Sequence, residues 1–165
     1  MERINMTAEE LFLRYALPCL DDLCNIHKIT PKKKDEIEQK FYAHETISKQ
    51  ELEEIFPAAF RRMQESFGKD YWTPSKISEY FRKYHDEFID SGDGRYREAT
   101  ETIKYWCKVR EAVVDSVRDN CVVLLSYEHD PKFDSSRLFF NKYQLELKPG
   151  DKVITHWRFV IEKLE

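Results

Sequence analysis

Lys148-Pro149-Gly150-Asp151-Lys152-Val153-Ile154-Thr155-His156-Trp157-Arg158-Phe159-Val160-Ile161-Glu162-Lys163-Leu164-Glu165 closes the chain and decides how it folds. Pro149-Gly150 suits the two central positions of a type II turn, because proline pre-sets the first φ and glycine accepts a positive φ at the second. Beyond the turn, Val153, Thr155, Trp157 and Phe159 alternate with Ile154, His156, Arg158 and Val160. A period of two predicts one closing strand, largely apolar on one face and with a histidine on the other.

The same period continues backwards from the turn. Residues 137–147 read as a strand entering it, 129–136 as a polar loop, and Cys121 to Glu128 as another strand. Arg118-Asp119-Asn120 reads as the turn before that strand, and Ile103 to Val117 as its long hairpin partner. Four or five short antiparallel strands in so few residues predict a small barrel, since an open sheet of that size leaves exposed edges. Ser91-Gly92-Asp93-Gly94 holds two of the four glycines and is the clearest break in the chain. It separates a domain of residues 1–94 from one of residues 95–165.

Before the break the period is helical. Thr7 caps a helix running to about Ile29, with Glu9 and Glu10 in its first turn and a kink, or a break into two shorter helices, expected at Pro18. Thr30-Pro31 starts a second helix, whose Lys32-Lys33-Lys34 reads as a solvated face. Ser48 and Glu51 form the capping box of a third, interrupted at Pro57. Thr73-Pro74 starts a fourth, with Ile77, Tyr80, Phe81, Tyr84 and Phe88 along one side. The fold class expected is therefore α+β, a bundle of about four helices packed on a small C-terminal antiparallel β-barrel. The aromatic residues Tyr71, Trp72, Tyr80, Phe81 and Tyr84 read as core.

Composition sets bounds on function. The chain has 165 residues, 41% of them hydrophobic and 35% charged, with a net charge of −4, which describes a folded, soluble globule without the basic platform of a nucleic-acid binder. The acidic excess falls on residues 1–94, and residues 95–165 are close to balance. No apolar run reaches membrane-spanning length, and Met1-Glu2-Arg3-Ile4-Asn5-Met6 lacks the apolar core of a signal peptide. The expected address is the cytoplasm, where Cys19, Cys24, Cys107 and Cys121 would be thiols.

Several stretches of the second domain together resemble a known family. They are Val113-Val114-Asp115, Arg118-Asp119-Asn120, Cys121-Val122-Val123, Gly150-Asp151-Lys152-Val153, His156, and Phe159-Val160-Ile161-Glu162-Lys163-Leu164. They are similar to the HypC/HupF small β-barrel proteins of nickel-iron hydrogenase maturation, an OB-like fold, over roughly the last 60 residues. The resemblance implies a cysteine and a histidine that hold an iron centre on its way to a metalloenzyme subunit. His156 occupies the histidine position and Cys107 lies near the cysteine position.

Chemically, a thiolate and an imidazole ligate iron, copper or zinc, and the same pair makes an activated nucleophile. Cys107 and His156 are therefore the candidate metal ligands, with Trp106 and Trp157 as neighbours in sequence that would line the same site. Cys19, Cys24 and His27 form a weaker alternative metal cluster, because Cys24 and His27 share a helix face while Cys19 points elsewhere unless Pro18 reshapes the turn. No phosphate loop, nucleophile elbow, His-Glu-x-x-His helix or Cys-x-x-Cys pair is present. The expectation is a non-enzymatic accessory or scaffold protein that binds a partner protein, a metalloenzyme subunit or maturation factor, and a metal fragment. A small-barrel nucleic-acid or small-ligand binder is the alternative, and a cysteine-based hydrolase or redox enzyme a third reading that requires an exposed Cys107.

Overall fold

A computed structural model describes residues 6–119, 121–127, 130 and 135–165. Asn120 of the expected turn, Glu128 at the end of the expected strand, residues 129 and 131–134 of the expected loop, and the first five residues lie outside the described residues. The chain is α+β and divides into two compact units, Met1–Glu98 and Ala99–Glu165. Residues 95–98 thus go with the helices.

In the first unit, α1 (Ala8–Ala16) starts with the reciprocal cap its sequence offers. The Thr7 hydroxyl accepts from the Glu10 N–H at 3.2 Å, and the Glu10 carboxylate accepts from the Thr7 N–H at 2.8 Å. Pro18 has no N–H, and the chain tightens there into a 3-10 turn at Leu17–Cys19 before α2 (Leu20–Asn25). Thr30 caps α3 (Pro31–Tyr42). The basic run in its first turn is paired across helices: Lys33 Nζ stands 2.9 Å from Glu51, and Lys34 meets Asp21.

Ser48 caps α4 (Lys49–Ile55), which stops at Phe56 in a non-helical conformation (φ −120°, ψ 51°) so that Pro57 can begin α5 (Pro57–Phe67). Thr73 caps α6 (Pro74–Glu79), which continues through a π-helical turn at Tyr80–Tyr84 into α7 (His85–Asp90). The expectation of about four helices is therefore corrected. All four spans are helical, but three are divided, two where a proline withholds a backbone donor and one where the ladder widens to π spacing. Phe12 sits at the centre of the packing, its ring 5.1 to 5.7 Å from those of Phe56, Phe60, Trp72 and Phe81. Tyr71, Tyr80 and Phe81 are buried, as a core reading requires, whereas Trp72 and Tyr84 are half-buried.

The second unit begins with a helix where a strand was expected. Thr100 caps α8 (Glu101–Cys107) by accepting the Ile103 N–H at 3.3 Å, and Glu101 occupies the first turn, where the helix dipole favours an anion. A local cap thus overrides the alternating pattern up to Cys107. Lys108 then adopts an extended conformation and β1 (Val109–Val117) follows.

β1 pairs with β2 (Val122–Ser126), whose entry turn is held by Asp119 Oδ1 accepting the N–H groups of Cys121 and Val122 at 2.7 and 2.9 Å. β3 (Arg137–Phe140) ends earlier than expected. The side chain of buried Asn141 accepts from Leu145 N at 3.0 Å and donates to Leu145 O at 2.9 Å, so the chain loops back at the point where an extended strand would have continued. The expected single closing strand is likewise a hairpin, β4 (Lys152–His156) and β5 (Phe159–Lys163), turning at Trp157 with φ 52°.

The strand order β1-β2-β3-β5-β4 closes, because β4 pairs with β1 along five residues. All pairs are antiparallel except the short parallel seam of β3 and β5 at Phe140 and Phe159. Gly150 (φ 91°) gives the turn before β4 the backbone a type II turn requires. That turn is tied to β1 from both sides: Gly150 N donates to Val114 O at 2.8 Å, and Val114 N donates to Asp151 O at 2.9 Å. Val114, Val123, Leu125, Phe139, Val153 and Val160 fill the interior. Among the described residues no helix is long and apolar enough to cross a membrane.

Candidate functional site

Two local features of the second unit bring Cys107 to His156. α8 ends at Cys107, and two residues later Val109 stands opposite His156 in the β1–β4 ladder. The pairing extends past the strand, because Trp157 N donates to Trp106 O at 3.0 Å. As a result the Cys107 sulfur and a His156 ring nitrogen lie within 4.8 Å of each other, and both residues are fully buried. Two ligands of one tetrahedral ion with metal–ligand distances of about 2.0–2.3 Å stand roughly 3.5 Å apart, so a small rotation of either side chain suits a shared metal.

Trp106 and Trp157 meet through the same backbone hydrogen bond. The Trp106 ring packs against the sheet core, with the Arg158 guanidinium 5.0 Å from its centre. Trp157 Nε1 is buried with no hydrogen-bond acceptor among the described residues, a donor that is costly to leave unmade. Burial of Cys107 removes the exposed thiol that a cysteine nucleophile would present to solvent.

The weaker cluster is spread out. Cys19 closes the 3-10 turn, Cys24 lies on α2, and His27 follows that helix with φ 59°. Cys24 and His27 line one hollow of the helical unit and Cys19 another.

Sequence reasoning missed the polar set beside the Cys–His pair. Arg110 and Thr155 face each other in the β1–β4 ladder, and the Thr155 hydroxyl donates to Arg110 O at 3.2 Å and lies 3.1 Å from the Tyr127 hydroxyl. Arg110 Nη1 reaches Asp130 at 3.0 Å, the Tyr105 hydroxyl donates to the same carboxylate at 2.8 Å, and the guanidinium stacks 4.1 Å from the Tyr105 ring centre. Burial, followed by the hydrogen bond to Asp130, pushes the Tyr105 hydroxyl far above the usual phenol range, and burial raises Tyr127 as well. The only signal for this set was alternation in β1 and β4, which placed Arg110 and Thr155 without showing that they are partners. No family model, characterised protein or solved structure matches the chain.

Proposed function

We propose that the chain is a non-enzymatic accessory protein whose second unit is a HypC-like barrel, and that Cys107 and His156 hold a metal fragment, iron in the first instance, for a partner metalloenzyme subunit or maturation factor. One observation carries the reading: a thiol and an imidazole, fully buried and within 4.8 Å of each other, at the junction of a helix end and a closed sheet. A thiolate and an imidazole suit iron and zinc alike, and two protein ligands leave coordination positions for ligands that travel with the metal or come from a partner. A buried thiol reaches the ligating thiolate state once a cation sits beside it, so loading releases a proton and strengthens as pH rises.

Metal analysis of the anaerobically purified chain, together with cobalt(II) titration, tests this. Thiolate-to-cobalt charge-transfer absorption is expected in the native chain, absent in Cys107→Ser and shifted or weakened in His156→Gln. A native chain with neither iron nor zinc and no charge-transfer band, and a His156→Gln variant that keeps every co-purifying partner, would overturn the reading.

A further inference from the structure

The helical unit contains a cavity of about 490 Å³ bounded by α1, α2, the α4–α5 junction and the π-helical turn. That volume lies within the range of about 300–1,000 Å³ common for small-molecule sites. Leu23, Ile26, Phe56 and Phe81 are among the side chains that give it apolar walls, and Ile26 is among the exposed large hydrophobic residues. Its charged lining is unbalanced: Lys28, Arg62 and Arg95 against Asp22 and Glu54.

Arg62 is itself buried, and it shares its carboxylate partner. Asp93 Oδ2 accepts from Arg62 Nε at 2.7 Å and from Arg61 Nη2 at 2.5 Å, while Arg61 Nη1 also meets Glu65 at 2.8 Å. Arg62 Nη2 reaches the wall beside Gly94, 3.6 Å from where a Cβ would stand. Arg95 pairs with Asp22 and adds a second guanidinium. A buried arginine on the wall of an apolar cavity is unusual for a purely structural role, because burial penalises a cation even when it is paired. The wall also includes Tyr80, the first residue of the π-helical turn, a widened geometry found mostly at functional positions.

We propose that this cavity is a binding site for a small carboxylate with an apolar body, an alkanoate or aryl-alkanoate, whose head meets Arg62 and Arg95 and whose body lies along Phe56, Phe81 and Leu23. The proposal stands on the lining of the helical unit alone and does not depend on the metal reading of the Cys–His pair. A guanidinium meets a carboxylate through two parallel N–H groups, a match that an alcohol or amide of the same length lacks.

Displacement of the fluorophore 8-anilinonaphthalene-1-sulfonate from the full chain tests the site, with decanoate and decan-1-ol as competitors and circular dichroism melting as a check on folding. Decanoate is expected to displace the dye about tenfold more strongly than decan-1-ol, the difference a charge-assisted pair contributes. Arg95→Gln, which leaves Asp22 facing the cavity without its cation, is expected to remove that preference, and Ala59→Trp to abolish displacement by filling the hollow. Equal displacement by acid and alcohol, no saturable displacement, or an unchanged preference in folded Arg95→Gln would each overturn the proposal. Should Ala59→Trp fail to fold, the acid–alcohol comparison and Arg95→Gln decide the matter alone.

Discussion

The helical unit and the closed sheet use their polar side chains differently. In the helical unit most of them work over short sequence distances or at the surface, the buried Arg62 on Asp93 being an exception: Thr7, Thr30, Ser48 and Thr73 each accept an N–H three residues on, and Lys33, Lys40 and Glu51 join two helices through partly exposed ion pairs. In the closed sheet, Asn141, Thr155 and His156 are buried and placed by strand register or by backbone loops. The first kind of polar group stabilises an element that its neighbours in sequence already favour. The second holds an arrangement that exists only once distant segments have met, and it is there that the Cys–His pair forms.

The largest effects should come from the two apolar centres. Phe12→Ala removes a ring with four aromatic neighbours and is expected to cost about 3–5 kcal/mol in urea unfolding, with loss of the helical unit's amide signals. Phe139→Ala should cost about 3 kcal/mol, and its loss is felt in the sheet, where its ring packs beside Trp106 and Tyr127. Equal losses spread over both units in both variants would break the comparison.

Asn141→Ala probes buried polarity in the sheet. It strands both backbone groups of Leu145 and is expected to cost about 2–3 kcal/mol, seen as fast hydrogen exchange at Leu145.

Smaller effects separate turn from cap. Gly150→Ala forces a left-handed conformation on a residue with open space around it, so its cost of about 1–2 kcal/mol is purely conformational. Thr7→Ala loses half of a capping box and should cost about 1 kcal/mol, read as fraying of α1. A Gly150→Ala variant as stable as the native chain would show that the turn is free to change type.

The mildest effect is on pH dependence, and its acid and alkaline limbs are weighted differently in the two units: two lowered carboxylates and one raised phenol, Tyr42, in the helical unit, one lowered carboxylate and two raised phenols in the sheet. The Lys33 hydrogen bond holds Glu51 below the usual carboxylate range, and at Asp93 the pairing with Arg61 and Arg62 outweighs a burial effect that acts upwards. Folded values below the unfolded ones mean stability that is present above about pH 4 and lost as pH falls through the lowered values. Asp151 adds an acid limb to the sheet, where Lys163 and the Lys148 N–H overcome burial. Tyr105 and Tyr127 are raised, so their contribution is present below about pH 10 and lost as pH rises through the folded values. Amide signals followed across the pH range should show the helical unit yielding first in acid and the sheet first in alkali; the reverse order would remove the distinction.

Much of the helical unit was legible because its signals are local. A hydroxyl reaches an N–H three residues away whatever the rest of the chain does, and a proline withholds its donor in any context. The same rule explains the main error. Alternation in residues 103–107 suggested a strand, whereas Thr100 and Glu101, a few positions earlier, carried the helix start that the structure follows. The closing hairpin was missed for the opposite reason: Trp157 and Arg158 carry none of the glycine or asparagine that usually marks a two-residue turn.

By itself the sequence determined where the four helical spans of the first unit begin and which turn precedes β4, and it offered Cys107 and His156 as candidate ligands. These follow from interactions within a few residues and from side-chain type. Only the tertiary structure decided that Cys107 ends a helix, that His156 lies opposite Val109, that Asn141 truncates β3, and that one carboxylate serves both Arg61 and Arg62 at the edge of a cavity. Those outcomes depend on which distant segments pair and in what register, and a side-chain period of two fixes the face of a strand without naming its neighbour.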